Sequence, residues 1–390
     1  MSTIMQGFPP AEADQATLAN WRSRPHSAWA LNHVREIVPS AEIPNDPDNR
    51  WVIEVGAPAF DISSIEPAMD TTDADAVVVM HQGKRVFERY RNGNDASTPH
   101  ILFSVSKSML GLLAGSLAAS GDLKLDGLIT DYIPELITTI YNGATVRDAL
   151  DMRVGVSFDE DYLATEGPIV DYRYAANWNP VPVGREAGDL RSFMRKLVEA
   201  DGEHGQRFHY VSPNTDLLAW VFERATGQRY ADLFADRIWK PLGAANSGYI
   251  TVDRIGGARA AGGMCLTARD LALVGQMLVL GGTRNGVQIL PESWIEDIET
   301  KGDADAWATG DFADKMPANM NYRSKWYVHP GDKPLIHGLG IHGQYVFVDR
   351  ARELSVSWFS SGHDPLGETQ TADVLKTIFT LREAIDEATS

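Results

Sequence analysis

Three separated segments of the chain carry residue types that could together perform nucleophilic catalysis. Ser104 and Lys107 lie three residues apart at the start of an apolar stretch, so on a helix their side chains share one face. A serine nucleophile needs a group that takes its proton, and a neighbouring lysine could keep that proton mobile. The first-turn N–H groups of the helix would also favour negative charge at Ser104. The pair therefore predicts acyl transfer through Ser104.

The Ser-x-x-Lys spacing is a weak signal by itself, because such matches arise by chance in a chain of this length. The alternative is a serine that caps the helix and a lysine whose head group reaches solvent. A lysine placed early in an otherwise apolar helix is costly to bury unless a partner compensates. The spacing alone leaves both interpretations open.

The second segment is Tyr210-Val211-Ser212, just before a helix that begins at Pro213. If Tyr210 lies near Lys107, the ammonium group favours the phenolate, and Tyr210 can exchange a proton with Ser104 or with the leaving group. The alternative is a core tyrosine whose hydroxyl has an ordinary hydrogen-bond partner.

The third segment reads Gly338-Leu339-Gly340-Ile341-His342-Gly343. Its letters match the dinucleotide-binding pattern G-x-G-x-x-G, but that pattern requires a strand before it and a helix after it. Here the strand-like run QYVFVD follows. We therefore interpret the glycines as allowing a sheet edge to approach the serine closely.

Two other chemistries are disfavoured by the same kind of argument. His337, His342 and His363 lack the helical i, i+4 spacing and the shared carboxylate of a zinc site. The G-x-S-x-G elbow of many Ser-His-Asp hydrolases does not occur in the sequence. We expect neither a metal nor another cofactor.

The elements that must position these segments follow from hydrophobic patterning. Two β-rich runs around Gly83-Lys84, over residues 76–91, predict a hairpin. The next stretch is apolar on nearly every face and predicts a buried helix that ends near Gly121. This helix carries Ser104 and Lys107 at its start.

The middle of the chain is mainly helical, with an aromatic loop over residues 156–187, and strands return near the C-terminus. We predict an α+β fold, with a central antiparallel sheet flanked by helices. Residues 1–125 and 265–390 would form the sheet domain, and residues 126–264 an inserted, mainly helical domain. The first 70 residues, rich in Pro, Asp and Ala, are predicted to form an irregular arm.

Taken in order, Ser104-x-x-Lys107, Tyr210-x-Ser212 and the glycine-rich strand resemble the three motifs of the penicillin-recognising serine hydrolases. This family includes class C β-lactamases, D-stereospecific peptidases and β-lactamase-fold esterases. The resemblance runs from about residue 76 onward, through GDLKLDGLITDYIPEL, TVRDALDM, FERATGQRY and LTARDLALVGQML. Within the family, LFSVSKS, DEDY, SPNTDLLAWVFERATG and GIHGQ most resemble the 6-aminohexanoate-oligomer hydrolases. The resemblance to this family implies a β-lactamase/transpeptidase-like fold.

The resemblance also implies a role for individual residues. Ser104 would be the nucleophile, Lys107 the proton acceptor and Tyr210 the acid/base partner, although the sequence leaves open which of the last two is deprotonated. The backbone N–H groups of Ser104 and Ile341 would form the oxyanion hole. The other positions that the resemblance assigns to the substrate site are Tyr162, Ser212, Trp326, Tyr327, Gly340 and His342.

Two departures from the family pattern restrict the expected substrate. Gly338-Leu339-Gly340 stands where β-lactamases carry Lys-Thr-Gly, so the cation that meets a β-lactam carboxylate is missing. Arg173 stands where an acidic loop residue could hold a substrate's amino end. We expect hydrolysis of short-chain esters and linear amides, such as 6-aminohexanoate oligomers. The alternatives are a carboxylesterase without useful amidase activity and a catalytically idle, penicillin-binding-like sensor.

Composition excludes several other kinds of partner. The 390 residues include 53 acidic and 35 basic side chains, and the formal charge of −18 disfavours nucleic acid and anionic membranes. Cys265 is the only cysteine, so no intrachain disulfide can form. The N-terminus lacks the basic start and apolar run of a secretory signal. We expect a cytoplasmic enzyme with a small-molecule ester or amide substrate, and a homodimer is compatible with this interpretation.

Overall fold

The strands among residues 3–390 form three sheets. The structure is a computed structural model that describes residues 3–390. In chain order the strands are β1 (Ser40–Ile43), β2 (Ala74–His81), β3 (Lys84–Tyr90), β4 (Pro99–Ile101), β5 (Gly248–Thr251), β6 (Met264–Thr267), β7 (Thr283–Arg284), β8 (Val287–Gln288), β9 (Asn321–Arg323), β10 (Trp326–His329), β11 (Leu335–Gly340), β12 (Gln344–Asp349) and β13 (Leu354–Ser360).

Fourteen α-helices are present in the described part of the chain, together with a few short segments of other helical type. They are α1 (Ser27–Ala30), α2 (Ile65–Thr71), α3 (Val105–Ser120), α4 (Ile129–Tyr132), α5 (Val146–Leu150), α6 (Pro168–Ala175), α7 (Leu190–Met194), α8 (Pro213–Thr226), α9 (Tyr230–Phe234), α10 (Lys240–Leu242), α11 (Ala268–Val279), α12 (Glu292–Thr300), α13 (Ala304–Ala308) and α14 (Glu368–Thr389).

The largest sheet has seven strands in the order β3-β2-β13-β12-β11-β10-β9, and every neighbouring pair is antiparallel. Because successive side chains of a strand point to opposite faces, the sheet separates two cores. On β2, Val78 and Met80 join the main core, whereas Val77 and Val79 join a second core. Helices α2 and α14 cover that second face.

Helix α3 is buried along most of its length within the main core. Gly111 permits its close approach to the turn between β9 and β10. A Cβ atom on Gly111 would lie only 2.0 Å from the backbone oxygen of Ser324. The helix therefore packs tightly against the edge of the large sheet that carries β10.

The main predicted elements are confirmed. Strands β2 and β3 form the expected hairpin, and α3 ends before Gly121. Helix α8 begins at Pro213 and ends before Gly227. Strands β12 and β13 pair antiparallel, and α14 follows them. The α+β architecture with a central antiparallel sheet flanked by helices is therefore present.

The first 70 residues differ from the irregular arm that the sequence predicts. Residues 1 and 2 lie outside the described part, but strand β1 pairs with β5, with Ser40 opposite Thr251. Sheet β1-β5-β6-β4 thereby joins a strand of the 126–264 stretch to strands on both sides of it. The pairing links positions about 200 residues apart, which local patterning cannot reveal.

The aromatic loop predicted over residues 156–187 contains helix α6, which carries Tyr172 and Tyr174. Pro168 stands in its first turn, a position that proline tolerates because the missing N–H would have no helical acceptor there. Across residues 3–390, no helix combines the length and apolar character needed to cross a bilayer.

Candidate active site

Ser104 lies at the N-terminal end of α3, immediately after a backbone turn. Strand β4 leads into Phe103, whose φ of 42° is in the left-handed region that a bulky residue rarely adopts. Ser104 is partly exposed, while Val105 and the residues after it are buried. The turn thus presents one hydroxyl at the end of a buried helix.

Lys107 is 1% exposed and contacts Ser104 directly. Its Nζ donates hydrogen bonds to Ser104 Oγ at 2.8 Å and to the backbone oxygen of Ala261 at 2.7 Å. Burial lowers the pKa of the Lys107 amine to about 7. The side chain does not reach solvent, so of the two interpretations of Ser-x-x-Lys the structure has the paired one.

Tyr210 faces the same two residues. The Lys107 Nζ atom lies 4.9 Å from the centre of the Tyr210 ring, and the Tyr210 hydroxyl interacts with the hydroxyls of Ser104 and Tyr327. Its backbone N–H donates to Asp311 Oδ2 at 2.8 Å. Burial, with the charge of Glu160, raises the pKa of the Tyr210 phenol above its usual value. The phenol is therefore protonated at neutral pH.

Gly340 ends strand β11 directly beside the nucleophile. A Cβ atom at this position would lie 2.5 Å from the oxygen of Leu102 and 3.0 Å from the nitrogen of Ser104. Only a residue without a side chain allows the strand to come this close. The glycine-rich strand therefore contacts the serine turn, as its composition predicts.

Two backbone N–H groups remain free where the strand and the turn meet. Neither the N–H of Ser104 nor that of Ile341 donates a hydrogen bond to any residue in the described part of the chain. Ile341 directly follows Gly340 in the chain, and Gly340 lies close to the nitrogen of Ser104. The two free donors therefore belong to the two segments that meet at this contact.

His342 lies just beyond these groups and supports the turn. It is 4% exposed, its Nδ1 lies 2.9 Å from the oxygen of Gly362, and its ring contacts Phe103 with centroids 5.3 Å apart. Burial lowers the pKa of the imidazole to about 4, so the ring is neutral near pH 7. His342 therefore contacts Phe103, the residue of left-handed φ directly before Ser104.

Tyr162 and Ser212 meet on a carboxylate that the sequence interpretation missed. Glu160 Oε1 accepts a hydrogen bond from the Tyr162 hydroxyl at 2.9 Å and another from Ser212 Oγ. The backbone N–H of Ser212 donates to Glu160 Oε2 at 2.7 Å. Glu160 thus fastens the aromatic loop to the start of α8. In the run DEDY, nothing distinguishes Glu160 from its acidic neighbours.

Arg173 lies on helix α6, not on a loop as its assignment to the acidic loop position requires. Its guanidinium donates to the backbone oxygens of Tyr162 and Ala164, each at 2.9 Å, and to that of Asp161 at 3.3 Å. The local sequence forms a helix here because Pro168 starts it and DYRYA continues it. Arg173 therefore closes the loop that carries Tyr162.

Trp326 and Tyr327 are neighbours on β10, so they point to opposite faces of the sheet. Tyr327 packs in an aromatic cluster with Tyr210. Trp326 is fully buried in the main core. Of these two residues assigned to the substrate site, the structure brings only Tyr327 to the catalytic group.

A buried ion pair holds Ala261, the residue whose backbone oxygen contacts the Lys107 amine. Asp216 Oδ1 accepts the N–H of Ala261 at 2.8 Å, and Asp216 Oδ2 pairs with Arg259 at 2.7 Å. The backbone oxygen of Ala261 in turn accepts a hydrogen bond from Lys107 Nζ. An acid within the apolar run PNTDLLAW was a usable signal, because a buried carboxylate needs a partner. Arg259, in GGARAAGG, had none.

No cluster of three or more His, Cys, Asp or Glu side chains suited to a metal occurs between residues 3 and 390. Cys265 is buried, and burial raises the pKa of its thiol to about 12.

Comparison with known proteins gives one family over most of the chain. A beta-lactamase family model matches residues 63–378. The 6-aminohexanoate-dimer hydrolase of Paenarthrobacter ureafaciens is 33% identical over 361 residues, which cover 92% of this chain and 91% of that protein.

Solved structures agree with this assignment. One named "Putative 6-aminohexanoate-dimer hydrolase from Bacillus anthracis" superposes with a TM-score of 0.86 and 26% identity, over 97% of this chain and 99% of that one. A family VIII carboxylesterase has a TM-score of 0.62 and 16% identity, over 85% of this chain and all of that one, a likeness of fold alone.

Proposed function

Because the chain belongs to the beta-lactamase family and is an amide or ester hydrolase, we propose that it works through an acyl-enzyme on Ser104. The observation that carries the proposal is the contact of 2.8 Å between Lys107 Nζ and Ser104 Oγ, made by an amine that is 1% exposed. A buried lysine with a lowered pKa is partly neutral near pH 7, so its lone pair can accept the serine proton.

In the first half of the cycle, Ser104 Oγ forms a bond to the substrate carbonyl carbon, and the serine proton passes to Lys107. Tyr210 keeps its own proton at neutral pH, because burial raises the pKa of the phenol. It then donates that proton to the leaving oxygen or nitrogen as the carbonyl bond to it breaks. Lys107 returns a proton to Tyr210, and the acyl group stays on Ser104.

In the second half, water attacks the acyl carbon and gives its proton to the same pair of residues. The bond to Ser104 Oγ breaks, and the serine regains a proton. The carboxylic acid leaves. Each step moves one proton and needs no further reactant.

The negative charge on the carbonyl oxygen needs donors in both halves. The free N–H groups of Ser104 and Ile341 support an oxyanion hole at this position. The close contact of Gly340 with the Ser104 nitrogen supports the same assignment, since it brings the second N–H beside the first.

We propose short-chain carboxylic esters and linear amides as the substrate class, with 6-aminohexanoate oligomers among the amides. The name of the Paenarthrobacter relative supports the amide half of this proposal. Tyr162 supports it too, because its hydroxyl lies on the loop next to Tyr210 and is oriented by Glu160.

Acylation is the direct test. The protein is incubated with a fluorophosphonate or a p-nitrophenyl ester and analysed by intact mass and peptide mapping. We expect one adduct on Ser104 that is lost in Ser104→Ala. Ser108→Ala is the matched control, since Ser108 lies one turn along the same helix and its hydroxyl donates to the oxygen of Lys325. Absence of both adduct and turnover would favour the idle sensor.

A substrate panel tests the specificity. It contains short p-nitrophenyl esters, 6-aminohexanoate dimer, D-amino acid amides and nitrocefin. We expect ester turnover to be fastest, linear-amide turnover to be measurable and nitrocefin turnover to be weak. Tyr162→Phe should reduce amide turnover more than ester turnover, because Tyr162 lies next to Tyr210 and an amine depends more than an alcohol on a well-placed acid when it leaves. Ester turnover with no amide turnover would favour a carboxylesterase.

A further inference from the structure

The N-terminal arm brings an arginine to the edge of the candidate active site. Trp21 stacks on Phe103, the residue before Ser104, with ring centroids 6.4 Å apart, and its Nε1 donates to the oxygen of Trp178 at 3.2 Å. The Arg22 guanidinium lies 5.5 Å from the Trp21 ring centre and 5.7 Å from that of Trp178. Arg22 is therefore held against the aromatic residues that flank the nucleophile turn.

Two further guanidinium groups lie around the same site. Arg259 stacks on Trp178 at 4.8 Å from the ring centre. Arg173 closes the loop that carries Tyr162. Burial, together with the charges of Arg173 and Arg259, lowers the pKa of Arg22 to about 9. The positive charges of the three side chains therefore act on one another.

These cations are unequally neutralised. Arg259 has Asp216 at 2.7 Å. Neither Arg22 nor Arg173 has a carboxylate within 4.0 Å among residues 3–390. Arg22 donates to the amide oxygen of Asn179, and its Nε is buried with no partner in the described chain. A buried donor without an acceptor is unfavourable unless a ligand supplies one.

The carboxylates that oppose this group already accept other hydrogen bonds, and Asp161, which acts on Arg173, accepts one from the N–H of Leu163 at 2.8 Å. Glu160 accepts hydrogen bonds from Ser212 and Tyr162, and Asp216 is held by Arg259 and the N–H of Ala261. Burial lowers the pKa of His342, and the charge of Arg22 contributes in the same direction.

We propose that Arg22 and Arg173 form an anion subsite at the edge of the Ser104 site, which receives a carboxylate carried by the ester or amide substrate. The inference rests on the proposed hydrolase function and names the class of substrate within it. A guanidinium with free donors pairs well with a carboxylate because the two planar groups match. The carboxylate would neutralise charge that the protein itself leaves open.

Matched pairs of esters test the proposal on both sides of the scissile bond. The acyl-side pair is the mono-4-nitrophenyl ester of glutaric acid and its methyl ester. The leaving-side pair is 3-acetoxybenzoate and its methyl ester. We expect the wild-type enzyme to have a kcat/KM about tenfold higher for the carboxylate member of at least one pair at low salt, declining as salt screens the charge.

The arm variants identify the residue responsible. Arg22→Gln should remove most of this preference, and Arg22→Lys should keep part of it, because lysine retains the charge without the planar fork. Arg24→Gln is the matched control on the same arm, since Arg24 already has Asp73 at 3.6 Å. It should keep the preference. An equal ratio in wild type and Arg22→Gln, for both pairs, overturns the proposal.

A binding experiment separates this proposal from the hydrolase function. Monomethyl glutarate and 3-acetoxybenzoate are titrated by calorimetry into Ser104→Ala and into Ser104→Ala with Arg22→Gln. Binding that the second substitution weakens about tenfold supports the subsite even if no ester is hydrolysed. Hydrolysis of neutral esters with no carboxylate binding supports the function and overturns the subsite. Thermal melting of each variant confirms that it is folded.

Discussion

Two lysines of this protein are buried to the same degree, and they differ in what their amines contact. Lys107 and Lys325 are each 1% exposed. The Lys107 amine contacts the Ser104 hydroxyl. The Lys325 amine donates to the backbone oxygen of Ala149 at 2.6 Å and contacts Met152 Sδ at 3.2 Å. One lysine meets a nucleophile, and the other meets the C-terminal end of a helix.

The surroundings of Lys325 explain why its amine has a structural role. Ala149 lies in the last turn of α5, where backbone oxygens lack helical partners, so Lys325 acts as a cap. The turn that carries Lys325 has two consecutive left-handed residues and is tied to Asp151, whose Oδ1 accepts the Ser324 N–H at 2.9 Å. Burial, reinforced by the charge of Lys107, lowers the pKa of Lys325 well below its usual value. A lowered lysine pKa therefore does not identify a catalytic group; its partner does.

The largest expected effect is on activity, and it should separate the two lysines. Lys107→Met should reduce kcat for a p-nitrophenyl ester about 10³-fold or more, because Ser104 loses its proton acceptor. Lys325→Met should change kcat less than about threefold, because its amine contacts no reacting group. Steady-state kinetics at pH 8 measures both. Comparable losses in the two variants would mean that burial, not the contact with Ser104, is what matters.

The second effect is on stability, and here the lysines should behave alike. The folded-state pKa of Lys107 is about 7 against an ordinary value of 10.5. Between these values the unfolded chain binds more protons, so the free energy of unfolding rises with pH, and the full penalty is present below pH 7. Lys107→Met should raise this free energy by up to about 5 kcal/mol at pH 6, with the gain shrinking toward pH 10.

Denaturant unfolding at a series of pH values measures this gain. Lys325→Met should also flatten the dependence of stability on pH, because burial lowers the pKa of Lys325 in the same direction. Its absolute stability gains less, since the Ala149 oxygen loses its donor. A Lys107→Met variant less stable than wild type at pH 6 would contradict the inference that the buried amine destabilises the folded state.

The third effect is on the pH profile of the reaction. Ester kcat/KM should rise about tenfold per pH unit below pH 7 and level off above it, because only the neutral Lys107 amine accepts the serine proton. Lys325→Met should keep the same midpoint, since Lys325 has no contact with Ser104. A profile that is flat from pH 5 to pH 9 would contradict the role of Lys107 as the base.

The smallest effect concerns Glu160, a carboxylate whose charge acts on Lys107. The charge of Glu160 opposes burial and raises the pKa of Lys107. Glu160→Gln should therefore shift the midpoint of the pH profile downward, by up to about one unit. The exposed neighbour Asp159 provides the control, and Asp159→Asn should leave the midpoint in place. An upward shift in Glu160→Gln would reverse the sign that this electrostatic account requires.

The parts of the site that could be predicted are those set by local sequence. Ser104 and Lys107 share a helix, so their contact follows from a spacing of three residues. The contact of the glycine-rich strand with the serine turn could also be predicted, because only glycine permits the close approach at Gly340. The residues that were missed contact partners far away in the chain: Glu160 and Ser212 are 52 positions apart, and Arg22 and Asn179 are 157 apart.

The sequence by itself determined the main helices, such as α3 and α8, the hairpin and the order of three motifs, because backbone geometry and hydrophobic period act over a few residues. It also determined that Ser104 and Lys107 could meet. Only the tertiary structure decided that the Lys107 amine is shielded from water and that Lys325 caps the C-terminal end of α5. Desolvation and the nearest partner set the protonation state of an amine, and both are properties of the packed fold.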